Sequence, residues 1–307
     1  MAELLAPAGN IEALDAAIGE GADAVYMGLK SFNARLRSSN FAWNQFEAAV
    51  NSVHKKGKKI YVTVNTMPHT NEYERLKKYL VALDEIGVDA LIISDLGVFT
   101  LAREIIPNME IHISTQANAT SAAACRAWYA LGAKRAVLAR ELSLKDIAEI
   151  RRNIPDDMEI AVFVHGAMCV SFSGRCLLSA YLTGRDANRG ACAQPCRWKY
   201  HLMEETRPGQ FFPVEEDDSG TYIMNAKDLC MIDYIPELVE AGVSSLKIEG
   251  RAKSAYYVSV AANAYRAAVD AYLEGKPLPQ WVHEEVFHVS HRDYCTGFFF
   301  GHPKDCQ

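Results

Sequence analysis

A short phrase recurs along this chain of 307 residues and limits what it can fold into. Residues 21–28 read GADAVYMG, 87–94 GVDALIIS, 132–139 GAKRAVLA and 242–249 GVSSLKIE, with a looser copy, GKKIYVTV, at 57–64. In each, a glycine closes an amphipathic helical stretch, because glycine reaches the left-handed C′ conformation without a Cβ clash. A short β-branched or aliphatic run follows, and unbroken apolar runs suit parallel strands covered on both faces. Three further runs lack the glycine: 3–7 (ELLAP), 110–115 (EIHIST) and 159–165 (EIAVFVH). Eight strands are therefore expected near 3–7, 24–28, 59–65, 90–94, 110–116, 135–140, 159–166 and 245–250. Helical patterns fall between most of them, at 11–19, 44–56, 71–86, 97–105, 119–131, 143–153 and 231–241, and another at 253–274 follows the last. Eight strands alternating with helices predict an α/β fold, a (β/α)8 TIM-like barrel, with an open doubly wound sheet as the alternative.

The alternation breaks once. About 80 residues separate the seventh and eighth strands, far more than a usual loop and helix. This insertion, 167–220, opens at the C-terminal end of a barrel strand, the face where barrel enzymes place their active sites. It holds a cysteine cluster and then an expected hairpin at 199–205 and 211–217. The barrel with its insertion is expected to span 1–280. The tail, 281–307, has aromatic weight but no strong period, and is expected to pack under the barrel or to lead into a further segment.

Four of the eight cysteines fall between 169 and 196. The N-terminus carries Glu3 and no basic stretch, so no signal peptide is read, and no apolar run approaches the roughly 18 residues of a membrane span. A cytoplasmic protein is expected, where clustered cysteines bind metal or react instead of forming disulfides. Cys169, Cys176, Cys192 and Cys196 give the pattern C-x6-C-x15-C-x3-C. Soft thiolates gathered in this way suit an iron–sulfur cluster or zinc, and the spacing leaves both open, although the long gaps are unlike those of zinc knuckles. Ordinary buried thiols are the bland alternative, which four cysteines within 28 residues make poor. Cys230 is a further candidate; Cys125, Cys295 and Cys306 are expected to be structural or incidental.

The net charge of −6 and pI of 5.9 exclude a general nucleic-acid coat but not a local basic patch. Between 175 and 199, Arg175, Arg185, Arg189, Arg197 and Lys199 face a single acid, Asp186, with Tyr181, Trp198 and Tyr200 interleaved. Such a patch can hold phosphate and stack a base. It can equally be a solvated loop balanced by Glu215, Glu216, Asp217 and Asp218. Polar residues at the strand C-termini are the remaining site candidates: Asn65, Asp95, Gln116, Arg140, Glu141, His165, Lys247, Glu249 and Arg251, with Arg35 and Arg37 after the second strand. Any one of them could instead cap a helix or pair internally. Protease motifs are missing. There is no G-x-S-x-G elbow, and His283 and His288 are five apart, which on a helix turning about 100° per residue keeps them from one metal. Nucleotide-binding glycine loops are absent as well.

The stretch FVHGAMCVSFSGRCLLS (163–179) resembles the signature of peptidase family U32, the collagenase-like proteases. The resemblance extends through ELLAPAGN, GADAVYMG, the REL at 140–142, RDANRGACAQPCRWKY (185–200), TYIMNAKDL (221–229), SLKIEGR (245–251) and SHRDYCTGFF (290–299). Within the family the chain is most similar to the tRNA hydroxylation branch, which installs 5-hydroxyuridine at the wobble position of tRNA. Relatives act on ribosomal RNA cytidine or on the ubiquinone ring. The resemblance implies a 4Fe-4S cluster on Cys169, Cys176, Cys192 and Cys196, with Cys230 as the alternative fourth ligand, and prephenate as hydroxyl donor. Zinc is the alternative metal; peptidase activity and ribosomal RNA cytidine hydroxylation are the alternative functions. On this reading Arg140, Glu141 and His165 are catalytic, with His165 passing a proton beside Cys169. Arg35, Arg37, Arg185, Arg189, Arg197, Lys247 and Arg251 bind substrate, the three insertion arginines through RNA phosphates. Partners are expected to be tRNA, the small-molecule donor, and a protein partner or homologous subunit, without a membrane. Members of this branch continue into a small C-terminal β domain, expected to be absent here.

Overall fold

The structure is a computed structural model, which describes residues 2–36, 40–168, 178–195, 198, 216–217, 220–221 and 227–301. Strands β1 (Glu3–Pro7), β2 (Ala24–Met27), β3 (Lys59–Val64), β4 (Ala90–Ile93), β5 (Glu110–Ile113), β6 (Arg135–Val137) and β7 (Glu159–Ala167) pair in parallel, each with the next. Strand β8 (Ser245–Ile248) pairs in parallel with both β1 and β7 and closes the sheet. Closure rules out the open doubly wound alternative. Helices α1 (Ile11–Gly19), α2 (Trp43–Lys55), α3 (Tyr73–Ile86), α4 (Leu96–Ile105), α5 (Ala122–Ala130), α6 (Leu144–Arg152), α7 (Leu178–Thr183), α8 (Ile235–Glu240), α9 (Ala255–Leu273) and α10 (Gln280–His288) complete the described regular structure, apart from short strands and 3₁₀ turns. No helix among the described residues is long and apolar enough to cross a membrane.

The local signals act as their chemistry requires. Gly87 closes α3 at φ 83°, and the glycines of the other four phrases, Gly21, Gly57, Gly132 and Gly242, also take positive φ. Side-chain oxygens of Asn10, Asp95, Ser143 and Ser254 accept backbone N–H groups at the starts of α1, α4, α6 and α9. Alternation along the strands then sorts the side chains. Leu5, Ala24, Tyr26, Tyr61, Ala90 and Ile92 fill the barrel interior, while Val25, Met27, Ile60, Val62, Leu91 and Ile93 pack outward under the helices.

The N-terminal end of the barrel is closed by charge. Glu3 accepts from Arg135 Nη1 (2.6 Å), Tyr61 Oη (2.6 Å) and Ser245 Oγ (2.8 Å), and Arg135 Nε donates to Glu159 (2.7 Å). That occupied floor leaves the opposite, C-terminal end as the open face.

A strand not read from the sequence, Asp228–Cys230, lies antiparallel to the end of β7, just before the helical stretch expected at 231–241. One expectation needs correction. The tail does not pack under the barrel. Its Tyr294–Cys295 pair lies parallel to Asp228–Cys230, beside the C-terminal end of β7, and Arg292 clamps Asp228 at 2.6 Å. Of the expected hairpin, 199–215 lies outside the described residues; the described pairing is Glu216–Asp217 with Gly220–Thr221.

Candidate functional site at the barrel mouth

The eighth strand sends Ser245 and Lys247 into the barrel, and Glu249 follows them at its mouth. Glu249 is the hub of the charges there. Its two carboxylate oxygens face Arg35 Nη2 at 3.4 Å and Arg140 Nη2 at 3.5 Å. Burial alone would raise its pKa, but Arg35, Arg140, Lys247 and Arg251 together hold it below the usual carboxylate range. Arg140 also donates to the carbonyl of Ala167 (2.8 Å) and lies 3.9 Å above the Phe163 ring, and its Nε has no partner among the described residues. Arg140 therefore ties the end of β7 to Glu249 beyond β8, and Glu141 beside it is partly exposed. Arg35 is the more accessible cation, its side chain 43% exposed. Glu249 raises the Arg35 pKa most, and the sulfur of Cys192 is close enough to add to that effect.

Arg251 is committed elsewhere. It is buried and donates to Thr63 Oγ1 (2.9 Å), Asn33 Oδ1 (2.8 Å) and Asn40 Oδ1 (2.8 Å). Burial, then the neighbouring Arg35, lowers its pKa to about 10. Expected to bind substrate, it instead pins the β2–α2 loop to β3. Asn33 and Asn40 carry no motif, and sequence reasoning passed over them. Tyr26 was legible by parity, being two residues from Ala24 on the same inward face.

The described part of the insertion docks on that same loop. Gly190, at φ 88°, approaches so closely that a Cβ would stand 2.5 Å from the Asn33 carbonyl oxygen. Arg189 pairs with Glu72 at 2.8 Å and donates to the Met67 carbonyl at 3.1 Å. Arg185 donates to the carbonyls of Ala191 (2.9 Å) and Cys192 (3.1 Å), and Ala193 N–H donates to Ser179 Oγ (2.9 Å). These two arginines, expected on RNA phosphates, hold the Cys192 loop to itself and to the barrel. Cys169, Cys176, Cys196, Arg37 and Arg197 lie outside the described residues. Among the described residues no three His, Cys, Asp or Glu side chains form a metal-binding group.

His165, expected beside Cys169, is turned away from the mouth. A register shift after Lys247 pairs it with Ile248, an outward residue of β8. Its ring lies among Tyr257, Tyr265 and Tyr294, 5.8, 5.4 and 5.4 Å between centroids, and neither nitrogen has a hydrogen-bond partner among the described residues. Burial pushes its pKa down to about 4. A buried, neutral imidazole is no general acid at neutral pH. Its linkage has a definite sign. Between about pH 4 and 6.5 the unfolded chain binds a proton that the folded chain refuses, so stability falls as pH is lowered through that window, by about 1 kcal/mol per pH unit. His165→Phe is expected to keep or raise stability at neutral pH, because no hydrogen bond is lost, and to remove this slope. Urea melts of both proteins at several pH values check it; parallel pH profiles would refute the assignment.

Cys230 pairs across from His165, with the Tyr265 hydroxyl 4.0 Å from its sulfur, and burial pushes its pKa up to about 11. Its position belongs to the outer side of β7, not to the Arg35–Cys192 side of the mouth. The other strand-end candidates have local duties. Asp95 caps α4 by accepting from Val98 N–H (2.9 Å), and Asn65 bridges Ala34 N–H and Gln116. On α10, His283 pairs with Asp233 at 2.5 Å, and no helix turn brings His288 beside it.

Comparison with known proteins places the chain in a family. The model of peptidase family U32 matches residues 9–307. The tRNA hydroxylation protein P of Escherichia coli is 40% identical over 342 aligned positions, covering 99% of this chain and 75% of that protein. An uncharacterised protease of Methanocaldococcus jannaschii is 43% identical over 305 positions, covering 98% of this chain and 73% of the relative. The 23S rRNA 5-hydroxycytidine C2501 synthase of E. coli is 39% identical over 272 positions, covering 89% of this chain and 40% of the synthase. With a match that runs from the first barrel helix through the tail, the chain belongs to peptidase family U32.

Proposed function

We propose that this chain is a cytoplasmic RNA hydroxylase that forms 5-hydroxyuridine at the tRNA wobble position. The observation that carries the reading is the 40% identity, across nearly the whole chain, to a protein named for tRNA hydroxylation, alongside a second relative named for rRNA cytidine hydroxylation. The barrel mouth supports it. The one described member of the cysteine set, Cys192, is held on a loop fastened to that mouth, within electrostatic reach of Arg35. The proposed ligands of a 4Fe-4S cluster are Cys169, Cys176, Cys192 and Cys196. A soft thiolate donor set fits such a cluster, which would supply one-electron chemistry at the mouth. Cys196 is preferred to Cys230 as fourth ligand, because Cys230 sits among tyrosines on the outer side of β7.

The chain's own residues would hold the donor and the base. Prephenate, the proposed hydroxyl donor, carries two carboxylates, and Arg35 is the accessible guanidinium for one of them. Arg140 can reach a donor only by sharing Glu249. The protease reading has little to stand on. Among the described residues no histidine is hydrogen-bonded to a serine, threonine or cysteine side chain, as a nucleophile–base pair requires. The direct test is mass spectrometry of tRNA nucleosides from a strain lacking the gene, with and without the chain restored. Loss and recovery of 5-hydroxyuridine are expected. Unchanged nucleosides would overturn the reading. Arg35→Gln is expected to raise the prephenate concentration needed for half-maximal modification about tenfold or more, with maximal modification little changed.

A further inference from the structure

Lys247, expected from the sequence only to bind substrate, has surroundings unusual for a lysine. It stands in the barrel interior and is only 4% exposed. Its ammonium group meets ring faces, Tyr26 at 4.1 Å and Phe163 at 5.2 Å, and no described oxygen is hydrogen-bonded to it. Desolvation disfavours its charged form, opposed by Glu249 on the same strand face and reinforced by Arg140, Arg135 and Arg251. Cation–π contact with Tyr26 offsets about 2 kcal/mol at best, and burial wins: the pKa falls to about 7. A substantial fraction of the amine is thus a free base at neutral pH. Beside it stand an ionised carboxylate, Glu249, and Arg140, whose Nε is unpartnered among the described residues. A primary amine, a proton carrier and a guanidinium together suit a small carbonyl compound that also bears a carboxylate.

We infer that Lys247 is a nucleophilic amine that condenses reversibly with the ketone of a 2-oxo carboxylate bound at the barrel mouth. The Lys247 nitrogen adds to the carbonyl carbon, forming a C–N bond as the C=O π pair moves to oxygen. Glu249 carries the two amine protons, one after the other, from the nitrogen to that oxygen; the C–O bond breaks, the oxygen leaves as water, and the nitrogen lone pair closes the C=N bond. The product is an imine, and no oxidant or reductant is consumed. The ligand carboxylate is placed against Arg140 and Arg35, the two guanidinium groups paired with Glu249.

Borohydride trapping tests this without any RNA or metal, so its result is independent of the hydroxylation reading. The full chain is incubated with pyruvate in one arm and phenylpyruvate in another, reduced with cyanoborohydride, and mapped by peptide mass spectrometry. One reduced adduct is expected on the peptide bearing Lys247, its yield rising with pH through a midpoint near neutrality, where surface lysines are still protonated. Arg140→Gln is expected to lower the yield at limiting ligand about tenfold. In Lys247→Met the adduct at that position disappears. Labelling of surface lysines alone, or none in folded wild-type protein with either ligand across the pH series, would overturn the inference. A Lys247 adduct with the pH midpoint of an ordinary lysine would do so too.

Discussion

Replacing Arg251 with alanine is expected to destabilise the protein by about 3–5 kcal/mol, the largest stability effect of any single change at the mouth. The guanidinium is buried and satisfies three oxygens on two separate segments, those of Thr63, Asn33 and Asn40. Alanine removes all three of these hydrogen bonds at once, and each buried group left short of a partner costs about 1–3 kcal/mol. The loop that carries Arg35 loses its anchor at the same time, so the docked Cys192 segment should loosen with it. Arg251→Lys should recover only part of the loss, because one ammonium cannot reproduce the planar fork that spans β3 and the β2–α2 loop. Urea unfolding checks both variants. A midpoint lowered with an unchanged m-value is the expected result, and a loss below about 1 kcal/mol for alanine would show the hub to be dispensable.

The largest functional loss is expected from Cys192→Ser. Oxygen is a poor substitute for sulfur toward iron, so iron content should collapse and 5-hydroxyuridine formation should fall by about a hundredfold or more. Stability should scarcely move, since among the described residues the sulfur accepts only the Gln194 N–H, at 3.3 Å. That separation is the useful part. A folded, iron-free, inactive variant supports Cys192 as a ligand, whereas full iron retention removes it from the set. Cys230→Ser, by contrast, should keep its iron, because its side chain lies by Tyr265 on the outer side of β7.

How much of this was legible beforehand depends on the range of the forces involved. The barrel could be read because its signals are local. Gly21, Gly57, Gly87, Gly132 and Gly242 take positive φ as the recurring phrase requires, and each is followed by a strand covered on both faces. The strand-end residues named the right face of the barrel for the same reason: a strand's C-terminus is set by its own sequence. Roles at that face were less legible. Arg185 and Arg189 read as a free basic patch, yet their hydrogen bonds bind the insertion to its own carbonyls and to Glu72, 117 positions away from Arg189.

The chain by itself therefore determined eight strands and the place of the cysteine insertion, because caps, glycine turns and apolar runs act over a few residues. Only the tertiary structure decided which charge meets which. Glu249 is paired with Arg35 from 214 positions away, and Arg251 with Asn33 from 218. A one-residue shift of register after Lys247 turned His165 from the mouth into a cage of tyrosines, and no pattern within β7 announces that shift. Barrel closure is the physical reason. It brings the first and last strands together, so partners at the mouth are chosen by ring geometry, and their pKa values by the dryness of the ring, neither of which a neighbouring residue in sequence can specify.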